Sequence, residues 1–447
     1  MKNKSIAVVG SGISGLSAAW LLSKKHQVTL YDKNDYPGGH SNTRTVVVNG
    51  KPVAVDTGFI VFNERTYPNL IALFEHLNVS SAPTNMSFAV SAGNGTYEYS
   101  GSGLAGFFGQ KRNVLRPRHY KMLADIRRFF KEPMNLLSGD HQDMSLGEFL
   151  KQGRYSSAFV QDHILPMGAA IWSTPSEKIA DFPLRSFLQF FDNHGLLQFT
   201  DRPKWRTVLG GSQNYVGAML ADSNIDLKTN SPIDRIERHG EGVSVHVAGG
   251  HAFHHDEVIL ACHSDEALSL LSDADFQEEN ILSGIRYSPN EAVLHSDKSV
   301  MPRRKHLWSA WNFIRPQIGK DGLPIVSYWM NELQPLECDT DLFVTLNASE
   351  KICEKDVLYR TSYMHPVFDR TALRAQKALW SLQGRRNTWF CGAYFGSGFH
   401  EDGLQSGLAV AEQLGDVRRP WTVEAESGRI HLPQRLRQEK SAVPEAV

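Results

Sequence analysis

A glycine-rich turn near the start of the chain has the residue types and the spacing that bind a phosphate. Gly10-Ser11-Gly12-Ile13-Ser14-Gly15 follows an apolar run at residues 6–9 and precedes a segment that is helical in composition. The first glycine of such a turn permits a tight bend, the second lets the backbone approach a pyrophosphate, and the third lets helix and strand pack closely. The N–H groups that begin the helix would face the phosphates.

An acidic residue lies at the expected distance from this turn. A second predicted strand, residues 27–31, is followed by Asp32, which is 22 residues after Gly10. A carboxylate in this place accepts hydrogen bonds from an adenosine ribose. The glycine pattern alone would also fit a chance turn, but strand, turn, helix, strand and acid occur here in the right order. The sequence therefore predicts an adenine dinucleotide site.

A second glycine-rich turn lies near the other end of the chain. The residues Trp389-Phe390-Cys391-Gly392 read as a strand, and a helix is predicted to begin at Asp402 or Gly403. The helical spacing that supports this prediction is that of Leu404, Leu408, Ala411 and Leu414. Such turns usually bind anions, so the chain contains two candidate anion-binding turns.

Length, charge and cysteine usage limit the classes of function. The 447 residues, 41% of them hydrophobic, exceed one ordinary domain, so two domains are expected. The 47 basic and 48 acidic side chains give a net charge of -1, which gives no indication of nucleic-acid binding. The four cysteines show no CxxC spacing, so we expect no metal and a reducing, cytoplasmic location. Neither a signal peptide nor a run of roughly 18 apolar residues that could span a membrane is expected.

Further segments carry a resemblance to a known family. Gly38-Gly39-His40-Ser41-Asn42-Thr43 resembles the second phosphate loop of flavoproteins of the glutathione reductase and amine oxidase class. Asp56-Thr57-Gly58 resembles the segment that passes close to the isoalloxazine ring, and Val208-Leu209-Gly210-Gly211-Ser212-Gln213 is a third landmark. With the closing turn, the resemblance runs from Ile6 to about Gly415. The chain is identified as a member of the flavin-containing amine oxidase superfamily, similar in plan to protoporphyrinogen oxidases and carotenoid desaturases.

The resemblance implies an α/β fold in which a Rossmann-like FAD-binding domain of the glutathione reductase type is interleaved with an α+β substrate domain. The FAD-binding domain is expected to comprise residues 1–80, 203–289 and 384–420, the substrate domain residues 81–202 and 290–383, and a C-terminal tail residues 421–447. FAD is expected to bind without a covalent link, although attachment at His40 stays open. The residues expected to bind it are Gly10, Gly12, Ile13, Ser14, Gly15, Asp32, Lys33, Gly38, Gly39, His40, Ser41, Asn42, Thr57, Gly58, Phe59, Ile233, Gly392, Glu401, Asp402, Gly403 and Leu404.

Three residues depart from the family pattern. His40 stands where an arginine usually reaches the pyrophosphate, and Tyr394 stands where an acid more often contacts the ribityl chain. Ala292 takes the place of a lysine that assists the reaction with oxygen in many amine oxidases, with Lys305 as a candidate substitute from another loop. Phe399 matches one wall of the aromatic cage that faces the flavin. The absence of this lysine favours a reaction other than amine oxidation.

The predicted catalytic residues are Phe399, His194 and Tyr394, none of them a nucleophile, because the flavin carries the redox step. His194 would look the same in sequence if it were a hydrogen-bonded core histidine. Residues 166–173 and 190–197 have the mostly apolar composition of a substrate pocket, and equally that of a buried helix pair. Further pocket candidates, each also consistent with a structural role, are His295, Trp308, Trp311 and Tyr328.

The predicted function is an FAD-dependent oxidation or desaturation of a small hydrophobic substrate, a fatty-acyl or isoprenoid chain. The fatty-acyl prediction draws on similarity of the blocks at residues 38–43 and 398–403 to a subfamily of predicted NAD/FAD-binding proteins. An amine oxidase that produces peroxide, and a non-catalytic flavin-binding scaffold at the membrane, are the alternatives. Residues 104–131 mix basic and aromatic side chains, which suits either an anionic membrane surface or a solvated helical face. The electron acceptor is left open.

Overall fold

The structure is a computed structural model that describes residues 3–131, 144–172, 176–198, 202–315 and 325–433. Ser173 of the predicted pocket segment and residues 434–447 of the predicted tail lie outside these ranges. Within them the strands, numbered along the chain, are β1 (Ser5–Val9), β2 (Gln27–Tyr31), β3 (Thr43–Val48), β4 (Lys51–Asp56), β5 (Phe62–Asn63), β6 (Ser81–Thr84), β7 (Phe88–Ala92), β8 (Tyr97–Ser100), β9 (Trp205–Val208), β10 (Ile225–Lys228), β11 (Ile233–His239), β12 (Gly242–Val247), β13 (His251–His255), β14 (Glu257–Leu260), β15 (Arg286–His295), β16 (Trp311–Arg315), β17 (Ile325–Trp329), β18 (Phe343–Leu346), β19 (Val357–Val367) and β20 (Thr388–Phe390).

The α-helices of the described ranges are α1 (Ile13–Leu22), α2 (Pro68–His76), α3 (Gly103–Phe107), α4 (Pro117–Phe129), α5 (Leu146–Gln152), α6 (Ser157–Phe159), α7 (Leu165–Trp172), α8 (Ser176–Ile179), α9 (Leu184–Asn193), α10 (Gln213–Ala221), α11 (Ser264–Leu270), α12 (Phe276–Leu282), α13 (Met330–Leu333), α14 (Arg370–Leu379) and α15 (His400–Gly415). A π-helical turn, Val160–Ile164, joins α6 to α7. Short 3-10 turns occupy Lys111–Leu115, Lys298–Val300, Lys305–Leu307, Ser349–Lys351, Glu354–Asp356, Trp380–Leu382 and Ala393–Phe395. No helix in the described ranges is both long enough and apolar enough to cross a membrane.

A five-stranded parallel sheet forms the centre of the first core. Its strand order is β10-β2-β1-β14-β20, and every neighbouring pair is parallel. Ile6, Ala7 and Val8 have no solvent exposure because β1 is covered on both faces, which explains why its sequence is continuously apolar rather than alternating. The predicted α/β fold with a parallel dinucleotide-binding sheet is confirmed.

Helices α1 and α15 follow β1 and β20, so both begin at the carboxyl edge of the parallel sheet. They pack together at Gly407, where an added Cβ would lie 2.1 Å from Ser14 O and 2.4 Å from Ser17 Oγ. Every residue of α1 is buried, since the sheet and α15 cover it. The contact fixes the start of one helix relative to the start of the other.

A seven-stranded sheet of order β19-β15-β18-β17-β16-β7-β8 lies in the second core. Strands from residues 88–100 and 286–367 meet in it through the parallel pair β7 and β16. Helix α9 buries Leu184, Phe187, Leu188 and Phe191 at helical spacing in the same core. The two predicted insertions therefore contribute to one sheet, while their exact domain boundaries stay a prediction.

The closing helix begins at His400, two residues before the earliest start that the sequence indicated. Asp402 Oδ2 accepts a hydrogen bond from the backbone N–H of Phe399 at 2.8 Å. An acid at the third position of a helix commonly satisfies the N–H that precedes the first turn, which moves the start toward the N-terminus. Phe399 is therefore the residue that leads into this helix.

Candidate active site

The first glycine turn contains glycines of two kinds. An added Cβ at Gly10, which has φ +101°, would lie 2.8 Å from Ala261 O, and one at Gly15 would lie 1.9 Å from Gly10 O. Neither position can accept a side chain without moving backbone. At Gly12 an added Cβ would meet no protein atom within 4 Å. Packing thus explains Gly10 and Gly15, whereas the space beside Gly12 is free for a ligand that approaches the backbone.

Asp32 holds the turn from the end of β2. Its Oδ2 accepts from Ser11 N at 2.8 Å and from Ser11 Oγ, and its Oδ1 accepts from Asn34 N at 2.9 Å. The carboxylate is 6% exposed. Asp32 follows β2 at the edge of the sheet, which is the position that a ribose-binding acid needs. Its contact with a ribose stays a prediction. The neighbouring Lys33 Nζ instead pairs with Glu266 Oε1 at 2.6 Å.

The second glycine loop lies directly beside the first. Gly38 N donates to Ser11 O at 3.1 Å, and an added Cβ at Gly39 would lie 3.0 Å from Gly12 Cα. The backbones of Gly12 and Gly39 are therefore in close contact, and His40 is the next residue along the chain. Two predicted phosphate-binding segments that are separate in sequence form one continuous surface.

Ser41 and Asn42 connect this loop to distant elements. Ser41 Oγ is hydrogen-bonded to Tyr215 OH, and Tyr215 OH lies 2.7 Å from His400 Nε2. Asn42 Nδ2 donates to Tyr363 OH at 3.0 Å. Asn42 Oδ1 is buried without a partner in the described protein, which leaves an acceptor for a bound group.

The segment at residues 56–59 closes over the second loop. Phe59 N donates to His40 O at 2.7 Å, and an added Cβ at Gly58 would lie 2.3 Å from the same oxygen. Phe59 stacks on His400 with ring centroids 3.8 Å apart and planes 8° apart. Burial raises the pKa of Asp56, which accepts from Ser212 N at 2.9 Å and from Ser212 Oγ at 2.7 Å. These contacts bring the predicted ring-facing segment against the start of α15.

The acids of α15 point into the protein. Glu401 Oε1 accepts from Asn69 Nδ2 at 2.8 Å, and Glu401 Oε2 accepts from Leu70 N at 3.0 Å. Burial raises the pKa of Glu401. Asp402 Oδ1 accepts from Arg429 Nε at 2.6 Å. The carboxylates thus anchor the helix, and its first backbone N–H groups are the part that suits a cofactor.

Aromatic rings surround Phe399 at the entrance to α15. Phe399 stacks on Phe190 with centroids 4.7 Å apart, and Phe190 stacks on His194 at 3.8 Å. The centroid of Trp205 lies 5.8 Å from that of His194. Two predicted catalytic residues, Phe399 and His194, are thereby brought together, with centroids 5.7 Å apart. We call Phe190, His194, Trp205 and Phe399 the aromatic cluster.

The buried His194 is a neutral imidazole. Its Nδ1 lies 2.8 Å from Phe190 O, so Nδ1–H donates, and the buried Nε2 has no partner among the described atoms. Burial, and then the positive charge of Arg429, lower the pKa of His194 to about 3. The third predicted catalytic residue, Tyr394, has other neighbours: it packs on Phe395, and burial raises its pKa.

The remaining pocket candidates lie in or beside the seven-stranded sheet. His295 Nε2 is 2.7 Å from Thr345 Oγ1, and Trp311 packs edge-on against Tyr328. Lys305 Nζ pairs with Asp341 Oδ2 at 3.1 Å and is 64% exposed. Ala292, at the position of the family lysine, is 1% exposed in β15. Substrate contact by any of them stays a prediction.

Four residues of the site were missed by reasoning from sequence: Tyr215, Tyr363, His365 and His400. Two of them, Tyr363 and His365, lie on β19, which resembles any exposed strand in sequence. His400 was within a quoted motif, but its hydrogen bond to Tyr215 joins residues 185 positions apart. For Tyr363 and His365, the only local signal was that they share one face of a strand with Tyr359.

The sequence profile described as flavin containing amine oxidoreductase matches residues 13–334. This match extends over more than half of the chain. The chain belongs to the flavin-containing amine oxidoreductase family. Its cofactor is therefore FAD, and the resemblance that the two glycine turns indicated is confirmed. The open side of Gly12 and the unpartnered Asn42 Oδ1 fit this group.

Curated relatives of this flavin-containing chain share part of its length. A protein of Mycobacterium tuberculosis named as a flavin-containing monoamine oxidase, AofH, is 25% identical over 255 residues. The match covers 54% of this chain and 53% of that protein, so the chain spans about half the length of the curated relatives it matches.

Two solved structures share the fold over nearly the whole chain. One, named as a protoporphyrinogen oxidase from Exiguobacterium sp. 255-15, has a TM-score of 0.67 at 14% identity and covers 93% of this chain and 99% of its own. The other is a CLA-producing fatty acid isomerase from P. acnes, with a TM-score of 0.66, 14% identity and the same two coverages. At this identity the likeness shows the fold of the family.

Proposed function

We propose that the protein is an FAD-dependent oxidoreductase that oxidises or desaturates a hydrophobic substrate, a fatty-acyl or isoprenoid chain. The observation that carries the proposal is the aromatic cluster beside the first turn of α15. Phe399 is partly exposed and offers an apolar face, and the buried Phe190 stacks against it. Such a face suits an uncharged carbon chain.

Each part of the site has a task in this reaction. FAD, when bound, would supply the acceptor atom N5 for a hydride from a substrate carbon, and the proton that the oxidation also releases would pass to solvent. The stacked rings of Phe190 and Phe399 hold an apolar chain in place and exclude water. His194 Nε2 accepts a hydrogen bond rather than a proton, because its pKa of about 3 keeps the imidazole neutral. The backbone N–H groups at the start of α15 stabilise negative charge that develops near them.

Amine oxidation is the second candidate function. Stacked aromatic faces attract a cation, as Phe190 and Phe399 would. The curated relatives named for monoamine oxidation share this family. Against it stands Ala292, in the place of the family lysine. A flavin-binding scaffold without turnover is the third candidate.

Anaerobic reduction of the bound flavin separates the three candidates. Fatty acids, isoprenoids and alkylamines of matched length are added to the holoenzyme without oxygen, flavin absorbance is followed, and products are analysed by mass. The proposal expects bleaching by an apolar chain and a product lighter by two hydrogens or carrying an oxidised carbon. Bleaching by amines alone would establish the second candidate, and a flavin that no compound reduces would establish the third.

Variants of the aromatic cluster complete this experiment. Phe399→Ala removes the ring next to the flavin-facing turn and should slow bleaching at least about tenfold, because the chain is no longer held in position. Phe253→Ala is the control, since Phe253 is 45% exposed on β13. Equal rates in the two variants would contradict a role for the cluster.

We further propose that the protein contacts an anionic membrane surface through residues 104–121. Four large apolar side chains of this segment are exposed: Leu104 (75%), Val114 (50%), Leu115 (84%) and Tyr120 (48%). The basic residues Lys111, Arg112 and Lys121 are exposed among them. Apolar side chains inside a basic border match the boundary between lipid headgroups and acyl chains. A substrate drawn from lipid would enter by such a surface.

Vesicle flotation tests this contact. Binding to vesicles rich in phosphatidylserine should be abolished in the triple variant Lys111→Glu, Arg112→Glu and Lys121→Glu. High salt should abolish the binding of wild type. Arg128 is a poor choice for reversal because its guanidinium lies 3.8 Å from the ring of Tyr155 and 3.4 Å from Asp125 Oδ1. The control reverses three exposed lysines elsewhere: Lys51, Lys351 and Lys355. Flotation unchanged in the first variant would refute the proposal.

A further inference from the structure

A group of imidazole rings lines the edge of the cofactor site next to the two glycine loops. His40 stacks on Tyr363 with centroids 4.7 Å apart, and its centroid lies 5.7 Å from that of His365. On the far side His263 stacks on Tyr287 at 4.4 Å. We call His40, His263 and His365 the imidazole group. It joins the second phosphate loop, the sheet edge before α11 and strand β19.

The ring of His40 is placed to meet the cofactor rather than the protein. In the described residues the side chains of His40 and His365 form no hydrogen bond, and their contacts are ring contacts. Both rings are partly exposed although protein surrounds them, as expected for the wall of a deep cleft. His40 is also the first side chain beyond Gly39, whose added Cβ would lie 3.0 Å from Gly12 Cα, so His40 belongs to the loop that contacts the first glycine turn.

We propose that His40 is the cationic contact to the FAD pyrophosphate, and that the imidazole group takes up a proton from solvent when FAD binds. The inference rests on the FAD cofactor and is independent of the proposed substrate. A neutral imidazole next to an anionic pyrophosphate gains a favourable charge interaction on protonation. An arginine at this place would carry its charge at every pH and would show no such linkage.

The free protein keeps His40 uncharged. Burial lowers the pKa of His40 well below its usual range, and the nearby His365, His263 and His400 lower it further. Burial likewise lowers the pKa of His365 to about 4. Because the rings repel one another when charged, we expect the group to take up a single proton.

Two other cationic groups lie near this edge, and only one of them, Lys33, has a carboxylate partner in the described residues. Lys33 pairs with Glu266, whose Oε2 lies 3.9 Å from His263 Nδ1. The guanidinium of Arg44 is held between two rings, 4.4 Å from that of Tyr36 and 4.5 Å from that of Tyr359. Arg44 is the rival cation for the pyrophosphate, and the experiment must separate it from His40.

The sign of the effect follows from the direction of the pKa change. FAD binding raises the low pKa of His40. At a pH between the pKa of His40 in the free protein and its pKa in the complex, the complex holds one more proton than the free protein and free FAD together. Affinity therefore rises as pH falls through the pKa of the complex. The dissociation constant should decrease by up to about tenfold for each pH unit in that window.

The test measures FAD binding to the full-length protein after removal of its flavin, by quenching of FAD fluorescence between pH 6 and 8.5. Wild type should bind at least about tenfold more tightly at pH 6. Calorimetry in two buffers with different ionisation enthalpies should show uptake of about one proton for each FAD in the same window. His40→Gln should remove both effects and bind at pH 6 as weakly as wild type does at pH 8.5.

Three variants make the assignment specific. His40→Arg should bind tightly across the whole pH range, which also shows that the site still folds. His365→Gln should keep the pH dependence, because His365, with a pKa of about 4, is uncharged between pH 6 and 8.5 and the proton resides on His40. His251→Gln, on the exposed strand β13, is the control and should match wild type. The proposal would be overturned if wild type bound FAD equally well at every pH. It would also be overturned if Arg44→Gln lost affinity at all pH values while His40→Gln lost none.

Discussion

Arg429 donates from Nε to Asp402 Oδ1 at 2.6 Å and ties the C-terminal segment to the first turn of α15. Asp402 also accepts from the backbone N–H of Phe399, so one carboxylate holds both the helix start and the residue before it. Ile430 and Leu432 are buried in the core that contains the parallel sheet. Residues beyond the family's dinucleotide-binding motifs thus position the first turn of α15.

Removal of the Arg429 side chain should destabilise the protein strongly. Arg429→Met leaves Asp402, which has no exposed side-chain surface, without its cation. Breaking a buried pair from one side costs about 3–5 kcal/mol, because the remaining charge stays desolvated. The measurement is urea unfolding at pH 7. Arg235→Met is the matched control, since Arg235 pairs with Glu237 on the surface, and its midpoint should not change. A similar loss in both variants would contradict the structural role of Arg429.

Substitution of Gly12 should separate cofactor binding from folding. Gly12→Ala adds a methyl group that meets no protein atom, so the thermal midpoint of the flavin-free protein should stay within about 2 °C. The methyl group occupies the space that the pyrophosphate needs, and FAD affinity should fall more than about tenfold. In contrast, Gly15→Ala puts the methyl group 1.9 Å from Gly10 O and should lower the midpoint itself. Unchanged FAD affinity in Gly12→Ala would place the pyrophosphate elsewhere.

The contact between α1 and α15 requires glycine at position 407. Gly407→Ala forces the two helices apart, since the new Cβ would lie 2.1 Å from Ser14 O, and should cost about 1–3 kcal/mol in the free energy of unfolding. Gly217→Ala, in the middle of α10, meets no atom within 4 Å and should stabilise by about 0.5–1 kcal/mol. Denaturant unfolding of both variants measures the difference. Equal effects would mean that helix propensity, not packing, governs both positions.

Acid should unfold the protein through its buried histidines. Burial lowers the pKa of His163, as it does that of His194 and His400, to about 3. The unfolded chain binds protons at each below about pH 6.5 while the folded protein does not, so stability is complete above pH 6.5 and is lost as pH falls. Each group contributes about 1.4 kcal/mol for each pH unit. His163→Gln should reduce the slope of unfolding free energy against pH by one proton, whereas His251→Gln, on the exposed strand β13, should leave it unchanged.

The parts of the site predicted from sequence are those fixed by local chemistry. The roles of Gly10 and Gly15 follow from a strand, a turn and a helix that are contiguous, and the strand at residues 27–31 has the predicted bounds. His365 could not be predicted, because its place beside His40 depends on how β19 crosses the second sheet. The partner of Asp402, Arg429, is 27 residues away in a segment without a motif.

The predicted helix start failed for a similar reason. Apolar spacing shows where a helix buries its face but not where its first turn begins, and here the Asp402 carboxylate decides that through Phe399. The aromatic cluster shows the same limit, since Phe190 and Trp205 come from separate elements that only the packed structure brings to Phe399.

The parallel sheet has a consequence for biosynthesis. Its strands come from residues 5–9, 27–31, 225–228, 257–260 and 388–390, and Arg429, later still in the chain, ties down the first turn of α15. A ribosome that has made the first 380 residues has produced two glycine loops but neither β20 nor α15. The nascent chain must therefore keep an unfinished sheet edge from aggregating until nearly the whole chain has emerged.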